Sequence, residues 1–396
     1  MGTSESAVVR VAASISEIDA AQWDACANPD PATFNPFVCH AFLKALEDAG
    51  CVGRRTGWLP RHLALQGADG SVVAVMPCYL KNHSRGEYVF DYGWAEAFER
   101  AGGDYYPKLL SGVPFTPVPG PRLLAGAEPG REEREQTLAA ASITLAEKLG
   151  VSSFHVTFLT EGEWQRLKPS GFLQRTDQQF HWYNRGYRSF EDFLASLASR
   201  KRKAVRKERA EALSAGLTIE LITGNDIRER HWDAFFAFYT ETGSRKWGSP
   251  YLNRRFFSLL GGTMADRCLL VLARDGNRYV AGALNMLGGD CLYGRYWGAI
   301  EHHPCLHFEI CYYQAIEYAI MHGLPRVEAG AQGEHKLARG YVPVTTYSSH
   351  WIANRSFRNA VARYLEGERQ QVAEHSELLA EYAPYRKSNV PAEETF

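Results

Sequence analysis

The chain has no Cys-x-x-Cys pair, no apolar run approaching a membrane span and almost no net charge. Each absence removes a class of function. Its eight cysteines stand singly at 26, 39, 51, 78, 268, 291, 305 and 311, which points to reduced thiols rather than a disulfide framework or a zinc site. A bilayer-crossing helix needs about 20 apolar residues in a row, and no stretch supplies them. Lys and Arg number 44 against 45 Asp and Glu, a formal charge of −1, so attraction to a polyanion must be local. No phosphate-binding P-loop, Rossmann glycine fingerprint or Ser/His/Asp arrangement stands out. Neither a redox cofactor nor a covalent intermediate is expected, and no metal. His302, His303 and His307 lack a carboxylate or cysteine at fixed ligand spacing. The opening residues carry no basic-then-apolar leader, so the expectation is a cytoplasmic protein. Gly2 and Ser6 fit the short myristoylation pattern, which is permissive.

What is present is a globular composition, 45% hydrophobic and 22% charged over 396 residues, long enough for two cores. The chain also repeats itself. Residues 8–27 resemble 218–237, aligning Trp23-Asp24-Ala25 with Trp232-Asp233-Ala234. Residues 63–80 resemble 270–287, with Asp69-Gly70 facing Asp275-Gly276. Then 86–100 resemble 289–303, 145–156 parallel 319–330, and 181–193 resemble 350–361. Five matches in order read as two copies of one unit. Each copy reads as a helix carrying the Trp-Asp, then two strands joined at an Asp-Gly turn. The alternating aromatics of "YVFDYGW" and "CLYGRYW" read as a third strand in each. A helix over 306–324 ends at Gly323, Pro325 bars its continuation, "RVEAGA" is a short strand, and 345–354 is the last strand. The expected class is α/β or α+β, a mixed sheet with helices on it.

Three stretches carry a family likeness: "FDYGWAEAFERAGGDYYPKLLSGVPFTPVPGPRLL", "HFEICYYQAIEYAIMHGLPRVEAGAQGEHKLARGYVPV" and the closing "SSHWI". They resemble the FemAB-like family, in the tandem-domain Fem-type branch of the GNAT acyltransferase superfamily, over nearly the whole chain. The resemblance implies two tandem GNAT-like domains, 1–187 and 188–396, each a mixed, mostly antiparallel sheet with helices on its faces. It implies an N-acyltransferase that passes an aminoacyl group from aminoacyl-tRNA to an amine of a small molecule or cell-wall precursor, with no separate cofactor. Two alternatives stay open. One is the same fold drawing on acyl-CoA through a non-standard cradle; the other is a non-catalytic recognition protein. Acyl-CoA-dependent members cradle the pyrophosphate in a glycine-bearing turn at a helix start, whereas the matching "EHHPCLHF" (301–308) contains no glycine.

The stretch 328–343, "EAGAQGEHKLARGYVP", crowds acids, a histidine, a lysine and an arginine among glycines 330, 333 and 340. Glycines let a ligand approach the backbone, and Lys336 and Arg339 supply cations for an anionic one. By the resemblance, Lys336 takes the place of a loop lysine, Glu328 that of a strand carboxylate and Arg339 that of a phosphate contact. The catalytic candidates are Glu328, Lys336, His335 and Glu309. Glu309 lies one turn before Tyr312 and Tyr313, so the three are expected on one helix face. Substrate-binding candidates are Arg339, Glu334, Gln332, Arg295, Trp297, Tyr312 and Tyr313. From the first copy come Asp91 and Trp94, with Lys108 and Arg122 as clamps for a phosphate or carboxylate. The run "SRKRKAVRKERA", expected to continue the helix whose apolar stripe is Phe190, Leu194 and Leu197, offers Arg200, Lys201, Arg202, Lys203, Arg206 and Lys207 to RNA phosphates, although such a run equally suits a solvated helix. The reaction centre is expected in the second copy, because "FHVTFLTEGEWQRL" in the first lacks the glycine–lysine loop.

Overall fold

The structure is a computed structural model that describes residues 8–247, 250–330 and 333–386, with the backbone only at 245–247. Gly2, Ser6 and Gln332 lie outside the described residues. The chain divides into two compact units, Met1–Asp177 with Thr345–Ala373, and Gln178–Val344 with Glu374–Phe396.

In the first unit the strands are β1 (Val8–Ala12), β2 (Trp58–Pro60), β3 (His62–Gln66), β4 (Val72–Met76), β5 (Cys78–Lys81), β6 (Lys108–Ser111), β7 (Ser153–Leu159) and the start of β8 (Leu173–Tyr183). β1, β3 and β4 pair antiparallel; so do β2, β5 and β6, after which β6 and β7 run parallel. The second unit holds β9 (Thr218–Thr223), β10 (Cys268–Asp275), β11 (Arg278–Leu287), β12 (Cys291–Ala299), β13 (Arg326–Glu328) and the first residues of β14 (Val342–Ile352). Here β9 to β12 form one antiparallel meander and β13 joins β12 in parallel. The repeat is therefore real in topology. Both Asp-Gly pairs are hairpin turns, with Gly70 at φ +80° and Gly276 at φ +54°, the left-handed region that favours glycine.

Three expectations need correction. The first is the domain boundary, because each half gives its last strand away. β8 residues 181–183 pair with β13 in the second unit, and β14 residues 347–352 pair with β7 in the first. β7 is buried along its whole length and so needs a partner on each edge. The second concerns "YVFDYGW", which is not a strand: the helix Tyr92–Arg100 begins inside it. Glu87 and Asp91 both grip the Lys108 ammonium. In a strand, residues four apart stand about 13 Å from each other, too far for that shared grip. By its parallel pairing with β7, the counterpart of β12 is β6. Third, the apolar stripe at Phe190 and the basic run form two helices, Phe190–Ser196 and Ser199–Leu213, because Leu197 is extended between them.

The second unit's core joins Trp182, Phe193 and Leu197 to Leu269, Val271, Leu292, Ile316 and Val327. That packing fixes β12, β13 and the helical segment from Leu306 to Met321, the three elements around the candidate site.

Candidate functional site

β12 and β13 are paired only through Cys291–Arg326, Leu292–Val327 and Tyr293–Glu328. β13 then ends while β12 continues to Ala299, so the sheet opens at Glu328. A bulge in β12 marks the same point: Gly294 lies opposite Asn285 and Tyr296 opposite Leu284, leaving Arg295 as the extra residue. The backbones come close here, and a Cβ on Gly294 would stand 3.4 Å from the Glu328 carbonyl.

The chain leaves β13 through Gly330 at φ +78°, re-enters at Gly333 with φ +111°, makes a short 3-10 helix at Glu334–Arg339 and exits at Gly340 with φ +94°. A side chain at Gly340 would strike the Phe193 ring at 2.7 Å. The glycines thus serve backbone geometry and close packing together. The turn buries Lys336, 2% exposed, with Nζ donating to the Gly330 carbonyl at 2.9 Å. Burial pushes its pKa down to about 7, and the nearby Arg295 guanidinium pushes the same way.

Glu328 is equally buried but differently placed. Arg295 Nη2 lies 3.1 Å from one carboxylate oxygen and Arg326 Nε 3.5 Å from the other. His181 faces it across β8. Burial alone would raise its pKa; the charges of His181, Arg295 and Arg326 outweigh that and hold the carboxyl below its ordinary value. It is an anchored anion, a poor proton acceptor.

Glu309 is further from its expected role. It is fully buried, receives two nitrogens of Arg209 at 3.0 and 2.9 Å and accepts from Gln314 at 2.7 Å. Residues Glu309–Tyr313 form a π-turn, whose i→i+5 bonding puts more residues in a turn, so the three side chains do not share one face. Glu309 meets Arg209, Tyr313 donates to Glu208, and Tyr312 meets His335 Nε2 at 2.9 Å. Arg339 is committed too: it binds Glu208 at 2.8 and 3.1 Å and lies 3.4 Å over the Phe308 ring. Glu334 is exposed, 3.7 Å from His375.

Trp297, His307, Phe308, Tyr312 and His335 form one aromatic cluster, with Trp297–His307 at 5.2 Å and Phe308–His335 at 5.8 Å. Beside it opens a cavity of about 440 Å³ lined by Thr242, Trp297, His302, His303, His307 and Phe308. A second hollow of about 360 Å³ is lined by Arg200, Lys201, Ala204, Val205, Glu208 and Ala338. On the basic helix Arg200, Lys203, Arg206 and Lys207 are exposed, whereas Lys201 and Arg202 are half-buried.

The first-unit candidates lie elsewhere. Lys108 is wholly buried, bound to Glu87 at 2.7 Å, Asp91 at 2.5 Å and Ser84 at 2.8 Å. Trp94 packs edge-on against His350 at 4.9 Å. Arg122 is a strut rather than a clamp. Its guanidinium donates to the carbonyls of Thr157, Gly120, Pro121 and Val118. The partners that reading the sequence missed are Arg209, Glu208, Arg326 and His181. Only the single glutamate interrupting the basic run, Glu208 itself, hinted at the first two. Among the described residues no group of three His, Cys, Asp or Glu is placed to hold a metal, and no helix is long and apolar enough to cross a membrane.

Solved structures share this arrangement. FemX superposes with a TM-score of 0.54 at 14% identity, over 87% of this chain and 98% of FemX. The C-terminal domain of a putative lysylphosphatidylglycerol synthetase from Agrobacterium fabrum gives 0.52 at 9% identity, over 89% and 97%. No curated protein sequence matches. Antiparallel strands, a further strand that joins the last of them in parallel and a helix between, present in each unit, define the class: the tandem GNAT-like acyltransferase fold of the Fem type. The chain belongs to the FemAB-like family, peptidoglycan biosynthesis/recognition, whose family model matches residues 14–387.

Proposed function

We propose that the second unit is an N-acyltransferase centre that passes an aminoacyl group from aminoacyl-tRNA to an amine of a small-molecule or cell-wall-precursor acceptor. One observation carries the reading. At the point where β12 and β13 part, Lys336 is buried with its ammonium on the Gly330 carbonyl, and among the described residues no carboxylate offsets its burial. An amine with a pKa of about 7 is matched to proton transfer at neutral pH.

In the reaction the acceptor nitrogen attacks the ester carbonyl, the carbon–nitrogen bond forms and the ester carbon–oxygen bond breaks. Neutral Lys336 takes the proton that the attacking nitrogen must shed. The Tyr312 hydroxyl, paired with His335, donates to the departing oxygen and is restored by a solvent proton as Lys336 releases the one it took. Glu328 and Arg295 hold the strand ends at fixed spacing, which is a positioning task. The hollow at Arg200 and Lys201, with the exposed cations beyond it, suits the donor's phosphates. The turn at 301–308 still lacks glycine, which favours a tRNA donor over acyl-CoA.

Product formation from a charged tRNA pool, with and without RNase and read by mass spectrometry, tests the donor. The expected product is RNase-sensitive; an RNase-resistant product made from acyl-CoA would overturn the tRNA assignment. Replacing Lys336 by Ala should lower turnover by about 10² to 10⁴, and Lys336→Arg should be as inactive. An active Arg variant would mean that the charge matters and the proton acceptance does not.

A further inference from the structure

Leu306–Met321 is one helical segment with the π-turn Glu309–Tyr313 set inside it. The Gln314 N–H donates to the Glu309 carbonyl, five residues back, where an α-helix bonds four back. Such a turn is one residue inserted into the helical ladder, and it is rare without a local cause.

The cause is a guanidinium reaching in from the basic helix Ser199–Leu213. Arg209 Nε and Nη2 lie 3.0 and 2.9 Å from the two oxygens of Glu309, and Nη2 lies 2.7 Å from Glu317 as well. In an unbroken α-helix eight residues leave Glu317 about 80° round the axis from Glu309. With one residue inserted, eight positions turn as seven, the spacing that lines one helix face. Both carboxylates then face the same planar fork. The Gln314 amide donates to Glu309 at 2.7 Å across the same five-residue step. The guanidinium itself is seated 4.4 Å over the buried Phe190 ring.

The residue before Arg209 fixes the other half of the site. Glu208 takes Arg339 at 2.8 and 3.1 Å, and Arg339 Nη1 donates to the His335 carbonyl at 2.6 Å. The Tyr312–His335 bond of 2.9 Å is thus held from two neighbouring side chains of one helix. Arg209 sets the winding that carries Tyr312, and Glu208 sets the turn that carries His335.

We propose that Arg209, by clamping Glu309 and Glu317, is a positioning residue that winds the π-turn and so aims the Tyr312 hydroxyl at His335. A pair kept for stability alone has no need of the wider turn, since apolar residues often replace a buried ion pair without loss. Ile316, Ala319 and Ile320 anchor the following turns in the core. Release of the clamp therefore falls on Glu309–Tyr313, where return to an α-helix redistributes up to about 100° of rotation. The proposal rests on the proposed function for Tyr312's proton donation; the winding and the Tyr312–His335 bond stand apart from it.

Arg209→Met combined with Glu309→Met removes the clamp without leaving a buried charge alone, so melting should stay near the parent's. Imidazole nitrogen NMR of the histidine-labelled whole chain, with His335 assigned by its loss in His335→Gln, reads the Tyr312 bond directly. The His335 Nε2 signal of the double variant should move to where Tyr312→Phe places it. Arg209→Lys, which keeps the charge but not the fork, should move it the same way. Where the parent transfers an aminoacyl group, kcat should fall about tenfold to a hundredfold at little-changed KM. A folded double variant or Arg209→Lys variant with the parent's His335 signal overturns the proposal, whatever its activity. A parent that transfers nothing overturns the proposed function instead, and the His335 signal still decides the role of the clamp.

Discussion

Lys108 and Lys336 are buried to the same depth, 0% and 2% exposed, one in each unit, and their surroundings are opposite. Lys108 has two carboxylates and a hydroxyl. Burial alone would lower its pKa, but Glu87 and Asp91 more than reverse that and raise it. Lys336 has one carbonyl, and its pKa falls to about 7. Depth does not make a lysine reactive; the number of anions that reach it decides. The first is a permanent cation that shapes a loop. The second is an amine able to change its proton count at neutral pH.

The comparison breaks most visibly by replacing each lysine with methionine. Lys108→Met leaves Glu87 and Asp91 buried without their cation, and removing one partner of a buried pair costs about 3–5 kcal/mol. Lys336→Met strands no charge and fills the same space with an apolar chain. Urea denaturation at pH 7 should therefore show a large drop in midpoint for the first variant and none for the second. Equal midpoints would mean that the ionic lock in the first unit carries no stability.

A pH series sharpens the same contrast. The folded Lys336 loses its proton near 7, whereas an unfolded lysine does so near about 10.4. Between those values the unfolded chain holds one more proton, so stability rises with pH, by at most about 1.4 kcal/mol per unit. This is the reverse of a lysine that gains a partner. The contribution should vanish in Lys336→Met, and kcat/KM of the parent should climb through pH 7. A stability difference between parent and variant that stays flat from pH 7 to 9 would show that Lys336 is charged when folded.

Some of this was legible in the sequence and some was not. The two-copy plan, the Asp-Gly hairpins, the helix ending at Gly323 and the glycine-bounded turn around Lys336 follow from local patterns with a local physical cause. The strand misread at "YVFDYGW" shows the limit. Its period-two alternation was genuine, but a lysine 17 residues from Asp91 and 21 from Glu87 captured both, and no local pattern encodes that. The partners of Glu309 and Arg339 were illegible for the same reason: Arg209 and Glu208, a hundred or more residues upstream, bind them. The strand exchange at β8 and β14 pairs segments far apart in the chain, which no local pattern encodes.

The basic helix Ser199–Leu213 sets both kinds of cation on one element. Arg209 is half-buried, held by Glu309 and Glu317 at 2.9 and 2.7 Å. Lys203 and Lys207 are exposed, and among the described residues neither forms an ion pair; Arg206 meets Glu191 at 2.6 Å. If the exposed face tracks a single-stranded RNA end, removing one lysine–phosphate pair should flatten the slope of log affinity against log salt by about 0.7. Lys203→Gln with Lys207→Gln should therefore weaken binding of charged tRNA a few-fold at moderate salt and reduce that slope by about 1.4, leaving melting unchanged. Arg209→Gln should do the converse, lowering stability through the stranded Glu309 while the salt slope stays put. Filter binding across a salt series separates them, and an unchanged slope in the double lysine variant would assign the run to solvent.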